Sequence, residues 1–227
     1  MENENSVKVI SFANQKGGVG KSTLTMMTAN YLANKNYRVL VIDADYQGSI
    51  LQIRKQDMTE LGEEHKFPYD VVYCPAVHLD DKLDEMADNY DVIFVDMPGQ
   101  SYGEGLSKLL TLLDYAFIPV KTGDTDVFSS VDFMENIFTA SDIRKQCGLE
   151  GIKYNVVINE AEVKTNRYRD LVEFIESKGY NFDEELVVKK KVSIKDLSNT
   201  FMDPLEDKDG KDLETFFKKV EQCLELN

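Results

Sequence analysis

Asn14-Gln15-Lys16-Gly17-Gly18-Val19-Gly20-Lys21-Ser22-Thr23 lies between a β-rich run, residues 7–13 (VKVISFA), and a helix-like stretch from Ser22 to about Asn34. Glycine tolerates backbone dihedrals that turn successive N–H groups toward one point. A helix starting just after the turn directs its positive end to the same point. The segment therefore reads as an anion trap between a strand and a helix. Lys21 adds a charge that reaches the outer phosphates of a bound polyphosphate, and the Ser22 hydroxyl is placed to hold Mg²⁺.

Outward from this turn, short apolar runs recur at 38–43 (RVLVID), 70–74 (DVVYC), 91–96 (DVIFVD), 115–120 (YAFIPV), 152–158 (IKYNVVI) and, shorter, 185–188 (ELVV). Continuous apolar runs of this length suit strands buried on both faces. Helical patterns lie between them near 79–89, 103–113, 126–146, 167–178 and 211–225. Strands alternating with such helices predict βαβ units. The expected fold class is α/β: one doubly wound, mainly parallel sheet, with right-handed crossovers placing helices on both faces. At about 150 residues per domain, and with α/β domains often longer, the 227 residues are expected to form a single domain, 1–227. The polar stretches 54–68 and 203–211 are expected to be surface loops.

The usual phosphate-loop pattern is G-x-x-x-x-G-K-[ST]. Here Gln15 replaces the first glycine, and a second lysine, Lys16, precedes Gly17. Lys16 lies too far back to duplicate Lys21 within one site, but it could reach phosphates held by a second copy of the chain. In a phosphate-loop protein, carboxylates for Mg²⁺ and water should sit at neighbouring strand ends. Asp43-Ala44-Asp45 ends the second run. Val92-Ile93-Phe94-Val95-Asp96, followed by Met97-Pro98-Gly99, ends the fourth. Either aspartate alone is also an ordinary loop-initiating residue. Together, after the glycine turn, they mark the carboxyl edge of the sheet, where α/β folds bind ligands. Asp96 would hold Mg²⁺, partly through water.

N-Q-K-G-G-V-G-K-S-T resembles the signature of the ParA/MinD family of deviant-Walker ATPases, and the long form beginning Asn-Gln is most similar to the ParA/Soj partition branch. Asp43-Ala44-Asp45-Tyr46-Gln47-Gly48 resembles that family's D-x-D-P-Q-G box, with Tyr46 in place of proline. The resemblance is strong over 14–23, 43–48 and 92–99 and weak after about residue 160. It implies ATP and Mg²⁺ as ligands. Gly17, Gly18, Val19, Gly20, Lys21, Ser22 and Thr23 would cradle the phosphates, and Ser22, Asp43 and Asp96 would form the metal side. Lys16, Lys21 and Asp45 would be the catalytic set, with Lys16 crossing an ATP-dependent homodimer interface and Asp45 positioning the water. Gly99 would let a switch loop sense the γ-phosphate. Relatives place an adenine contact where Val157-Ile158-Asn159 ends the sixth run. Asn159 has the amide chemistry for it, and a capping asparagine is an equal reading. The family's usual proline and arginine near Val188 and Lys189 are absent. So is an N-K-x-D box, which argues against GTP.

Composition narrows the role. Lys plus Arg number 26 and Asp plus Glu 41, a net charge of −15. Such a surface repels polyphosphates on average, so nucleic acid must meet a local basic patch. Lys189-Lys190-Lys191 with Lys195, and Lys164 with Arg167 and Arg169, are the candidates; solvated loops are the plainer reading. The apolar runs are shorter than the ~20 residues of a membrane span. The polar N-terminus, MENENSVK, does not read as a signal peptide. The three cysteines, Cys74, Cys147 and Cys223, are expected to be buried apolar residues in a reducing cytoplasm, and His65 and His78 surface residues. The last helix has apolar residues at helical spacing but lacks the basic polar face of a membrane-binding helix, so it is expected to pack on the core. The length is expected to leave no room for an N-terminal operator-binding domain.

The resemblance then implies an ATPase that positions or segregates DNA, in plasmid or chromosome partition or in transfer of a conjugative element. Slow hydrolysis would be stimulated by a ParB-like activator, with non-specific DNA as a further partner and no membrane. The alternatives are an ATP switch that recruits a protein without touching DNA, and a MinD-like membrane positioner.

Overall fold

A computed structural model describes residues 7–62, 64–99, 104–122, 124–190 and 198–226. Seven parallel strands form one sheet: β1 (Lys8–Phe12), β2 (Val39–Asp43), β3 (Asp70–Tyr73), β4 (Val92–Asp96), β5 (Tyr115–Val120), β6 (Lys153–Ala161) and β7 (Phe182–Lys189). Their order is β3-β2-β4-β1-β5-β6-β7. The apolar runs become strands because both faces are covered. In β4, Val92 and Phe94 point into one core layer and Ile93 and Val95 into the other. The first layer takes Leu24 and Met27 of helix α1 (Lys21–Asn34) and Phe216, Phe217 and Val220 near the C-terminus. The second is closed by α3 (Leu79–Met86), α4 (Glu104–Leu110), α5 (Asp124–Gln146) and α6 (Asn166–Ser177). The doubly wound α/β expectation is met.

The polar stretch 54–68 is not a loop throughout. Helix α2 spans Ser49–Leu61. Its inward face consists of Ile50, Arg54 and Asp57, one helical stripe in which two positions are charged, so composition misreports its burial. Arg54 donates to Thr200 Oγ1 and to the Tyr69 carbonyl, at 2.7 and 2.9 Å, and stacks over Phe67, 4.2 Å from its ring centre. Asp57 accepts from the Thr200 N–H and hydroxyl at 2.7 and 2.6 Å. These pairs allow two charges inside the layer, where unpaired ones would be strongly destabilising. The 203–211 expectation is corrected too. Pro204–Glu206 forms a 3₁₀ turn, and Lys208–Lys211, α7, is a helical turn capped by Asp207.

The terminal helix α8 (Glu214–Cys223) packs on the core as expected. Glu221 on it accepts from Lys35, Tyr31 and Tyr37. Burial alone would raise that carboxyl, but these donors outweigh it and hold it below the usual carboxylate range. Of the cysteines only Cys74 is fully buried; Cys147 is exposed and Cys223 half-buried, so the uniform expectation fails. Cys147 lies just past α5, in the turn made by Gly148 at φ +80°. His65 and His78 are exposed, as expected. Among the described residues no helix is long and apolar enough to cross a membrane.

Candidate nucleotide site

The strand order reverses at β1, so the loop after Phe12 opens at the centre of the carboxyl edge. Asn14 anchors it: its Nδ2 donates to the Pro119 carbonyl at the end of β5, and its Oδ1 accepts from the Lys16 N–H, both at 2.9 Å. Gly18 and Gly20 have φ of +74° and +97°, dihedrals that side chains resist. Gly20 is required twice, because a Cβ there would stand 2.2 Å from Asn159 Nδ2. Lys21 starts α1 and is buried. Its ammonium donates to the Lys16 carbonyl at 3.1 Å, across the loop mouth. Burial lowers its pKa, and the charges of Asp96 and Asp45 pull the other way. The cationic head is thus held at the loop mouth by a backbone oxygen that an anion can displace.

Two carboxylates stand beside it. β2 and β4 pair with Asp43 opposite Asp96. Asp96 is buried, and its Oδ2 accepts from the Ser22 hydroxyl at 2.7 Å. Its Oδ1 is buried with no hydrogen-bond partner among the described residues. Burial pushes this carboxyl up to about 7, against the Ser22 bond, with the charge of Asp43 adding to the rise. A buried oxygen without a partner beside a hydroxyl on a phosphate loop is the donor set that a hard divalent cation completes. Mg²⁺ fits these residues. No group of three or more His, Cys, Asp or Glu that could hold a metal occurs among the described residues, so phosphate and water would supply the rest of its shell.

Asp43, expected on the metal side, has both carboxylate oxygens on backbone N–H groups. Its Oδ2 accepts from the Ile50 and Leu51 N–H groups at 2.9 and 3.1 Å, and its Oδ1 from Asp45 N–H at 3.3 Å. It caps the first turn of α2. Burial raises its pKa, and those N–H bonds oppose the rise. Asp45 is half-buried, its Oδ1 accepting from the Gln47 N–H at 2.9 Å. Tyr46 beside it is 80 % exposed. Gly99 lies over the loop: a Cβ there would come within 3.2 Å of Lys21 Nζ and 3.6 Å of Gly17 Cα.

A cleft of ≈ 720 Å³ runs from Gly18, Gly20, Lys21, Ser22 and Thr23 along α1 to Asn159, Glu160, Lys121, Lys190 and Ser198. Asn159 lines it, but Nδ2 donates to the Val19 carbonyl at 2.7 Å and Oδ1 accepts from the Glu160 N–H at 2.9 Å. The amide braces the phosphate loop against β6, the capping alternative in a stronger form, and these two bonds use one of its two hydrogens and one of its oxygen's two lone pairs. Lys121, Glu160, Lys190 and Ser198 were not legible as site residues, because three separate strand ends and a late segment bring them together. The signal open to inspection was only their position after apolar runs.

The basic clusters meet. Lys164 borders the same surface depression as Lys189 and Lys190, since β6 and β7 pair with Ala161 opposite Lys189. Lys190 is held by Glu162 at 2.6 Å, and Arg167 and Arg169 are exposed on α6. Lys191 and Lys195 lie outside the described residues.

Comparison with known proteins agrees with this geometry. Residues 10–208 match the CobQ/CobB/MinD/ParA nucleotide binding domain family. The chain is 29 % identical over 176 residues to a replication protein A of Rhizobium rhizogenes, an alignment covering 56 % of this chain and 43 % of that protein, so the chain spans less than half the length of that curated relative. A Cyanothece McdA variant in complex with ATP superposes with a TM-score of 0.74 at 15 % identity, covering 98 % of each chain. A Borrelia burgdorferi plasmid partition protein gives 0.67 at 21 % identity, covering 96 % of this chain and 99 % of that one. At these identities the two structures speak for the fold.

Proposed function

This chain belongs to the CobQ/CobB/MinD/ParA nucleotide-binding family, and from that premise we propose that it is a single-domain, cytoplasmic ATPase that binds Mg-ATP, dimerises on it and positions or segregates DNA. The observation that carries the reading is the Ser22–Asp96 contact, with its unpartnered Asp96 oxygen, at the head of the glycine loop.

The loop N–H groups and the α1 N-terminus take the phosphates, and Lys21 exchanges the Lys16 carbonyl for the β- and γ-oxygens. Bound Mg²⁺ supplies charge neutralisation at the phosphates. Asp45 orients the attacking water, and Lys16 contributes its charge to phosphates held by the second copy. Such chemistry needs positioning and charge more than covalent catalysis. A ParB-like activator raises the slow rate, and the joined patch around Lys164, Lys189 and Lys190 meets DNA phosphates. Partition and transfer of a conjugative element are the two settings that suit it. The core-packed α8 speaks against a membrane role. A second reading, an ATP switch that recruits a protein and leaves DNA alone, is favoured by the net charge of −15.

Sedimentation with Mg²⁺ and ATP should give a dimer, and with ADP a monomer. Lys16→Ala should bind ATP and stay monomeric. A mobility shift on unrelated duplexes should need ATP and weaken with salt, since each phosphate contact releases counterions. An ATP dimer that shifts no duplex even at low salt selects the protein-partner switch.

A further inference from the structure

The phosphates account for one end of the cleft, so the sugar and base extend along the rest of it. Asn159 spends one amide hydrogen on the Val19 carbonyl and one lone pair on the Glu160 N–H, which fixes it as a brace of the phosphate loop, and Lys190 is paired with Glu162, which does not line the cleft. The hydroxyls of Ser49 and Ser198 can each donate or accept, so neither sorts one base from another. Among the described residues that line the cleft, one ion pair sets a carboxylate acceptor beside an ammonium donor. Lys121 follows β5 and Glu160 sits near the end of β6; their side chains meet at 2.6 Å, 25 % and 41 % exposed, and both line the cleft.

Glu160 is held in place by more than this ion pair. Its φ is +52°, in the left-handed region, which a residue other than glycine keeps only where its surroundings fix it. The fixing bond is its own N–H on Asn159 Oδ1, and the same Asn159 grips the Val19 carbonyl of the phosphate loop. A strained residue lining the cleft is thereby set in register with the phosphates.

We propose that the Lys121–Glu160 pair is the base-reading element of this cleft and selects adenine; this rests on the Mg-ATP reading above. On the edge that carries N1, adenine places an amine donor beside a ring-nitrogen acceptor, which complements a carboxylate beside an ammonium. Hypoxanthine, in ITP, places a carbonyl acceptor beside an N–H donor, the reverse order. The pair therefore discriminates by the sequence of its charges, and an unmatched polar group in such a site is penalised strongly.

The test is calorimetric titration of the whole chain with Mg-ATP and with Mg-ITP. Wild type should prefer ATP by about ten- to hundred-fold, the range that one charge-assisted hydrogen bond supports. Glu160→Ala should bring the ratio close to one. The double variant Lys121→Glu with Glu160→Lys keeps an ion pair and inverts its order, so it should prefer ITP. A purely structural pair would lower both affinities together in Glu160→Ala and leave the ratio at its wild-type value; that result overturns the proposal, and the single substitution suffices for it if the double variant does not fold. A wild-type chain that binds both nucleotides equally overturns it while leaving nucleotide binding intact. A wild-type chain that binds neither removes the Mg-ATP reading and this proposal with it.

Discussion

Thr200→Val changes the shape of the chain hardly at all, yet it should be among its most damaging single substitutions. The Thr200 hydroxyl donates to Asp57 at 2.6 Å and accepts from Arg54 at 2.7 Å, inside the layer between α2 and the 198–202 segment. Arg54 and Asp57 are 8 % and 5 % exposed. A hydrogen bond to a charged group contributes about 1.5–3 kcal/mol, and two are lost together. Arg54 keeps its bonds to the Tyr69 and Thr200 carbonyls, and Asp57 keeps the Thr200 N–H, so the loss should fall at about 3 kcal/mol rather than at the sum of the upper limits. Urea unfolding at neutral pH reads it: at a slope of about 3 kcal/mol/M the midpoint should drop by about 1 M, with the slope unchanged. Thr200→Ser keeps the hydroxyl and gives up one methyl, and should cost about 1 kcal/mol. If the valine variant unfolds within 1 kcal/mol of wild type, or no earlier than the serine variant, the network is not what secures α2, and the reasoning fails.

Asp45→Ala should bind Mg-ATP normally and lose hydrolysis, accumulating the dimer; phosphate release at the wild-type rate would remove Asp45 from the water. Gly20→Ala forces a side chain into φ +97° and against Asn159, and should lower stability by about 2–3 kcal/mol from strain and a broken brace, read by thermal melting, while abolishing nucleotide binding. Glu221, held below the usual carboxylate range, binds fewer protons folded than unfolded, so its stabilisation is complete above the unfolded pKa and disappears as pH falls through the folded one. Glu221→Gln should therefore be less stable than wild type at pH 7 and match it in strong acid, and a gap that persists in acid would contradict this.

What the sequence made legible follows from how many constraints act on each segment. The loop 14–23 and the strands were readable because apolar runs, glycines and strand-end aspartates agree on one arrangement. Residues 49–61 were obscured because their buried face carries Arg54 and Asp57, whose partner Thr200 is 146 and 143 positions away; polarity in a linear chain cannot reveal pairing at such range. β7 was expected at 185–188 and spans Phe182–Lys189, since the acidic run Asp183-Glu184-Glu185 follows its first residue and the strand lies at the sheet edge, where periodicity is weak. Asp43 was legible as a strand-end carboxylate, but that its oxygens cap α2 depends on where Gly48, at φ +60°, turns the chain. Asn159 was legible as an amide at a strand end, while its bond to the Val19 carbonyl depends on the approach of two loops. Lys121 and Glu160 carried no pattern at all, because their meaning is the adjacency of β5 and β6.

The account turns on the glycine loop being a triphosphate cradle completed by Lys21, Ser22 and Asp96. Calorimetric titration of Mg-ATP into wild type and into Lys21→Ala, under the same salt, tests this directly. Wild type should bind at one site per chain, and the variant should bind more weakly by at least about 1.5–3 kcal/mol, a factor of about ten to a hundred, because a buried charge-assisted contact to phosphate is gone. Equal affinity in the two proteins would place ATP elsewhere and contradict the site.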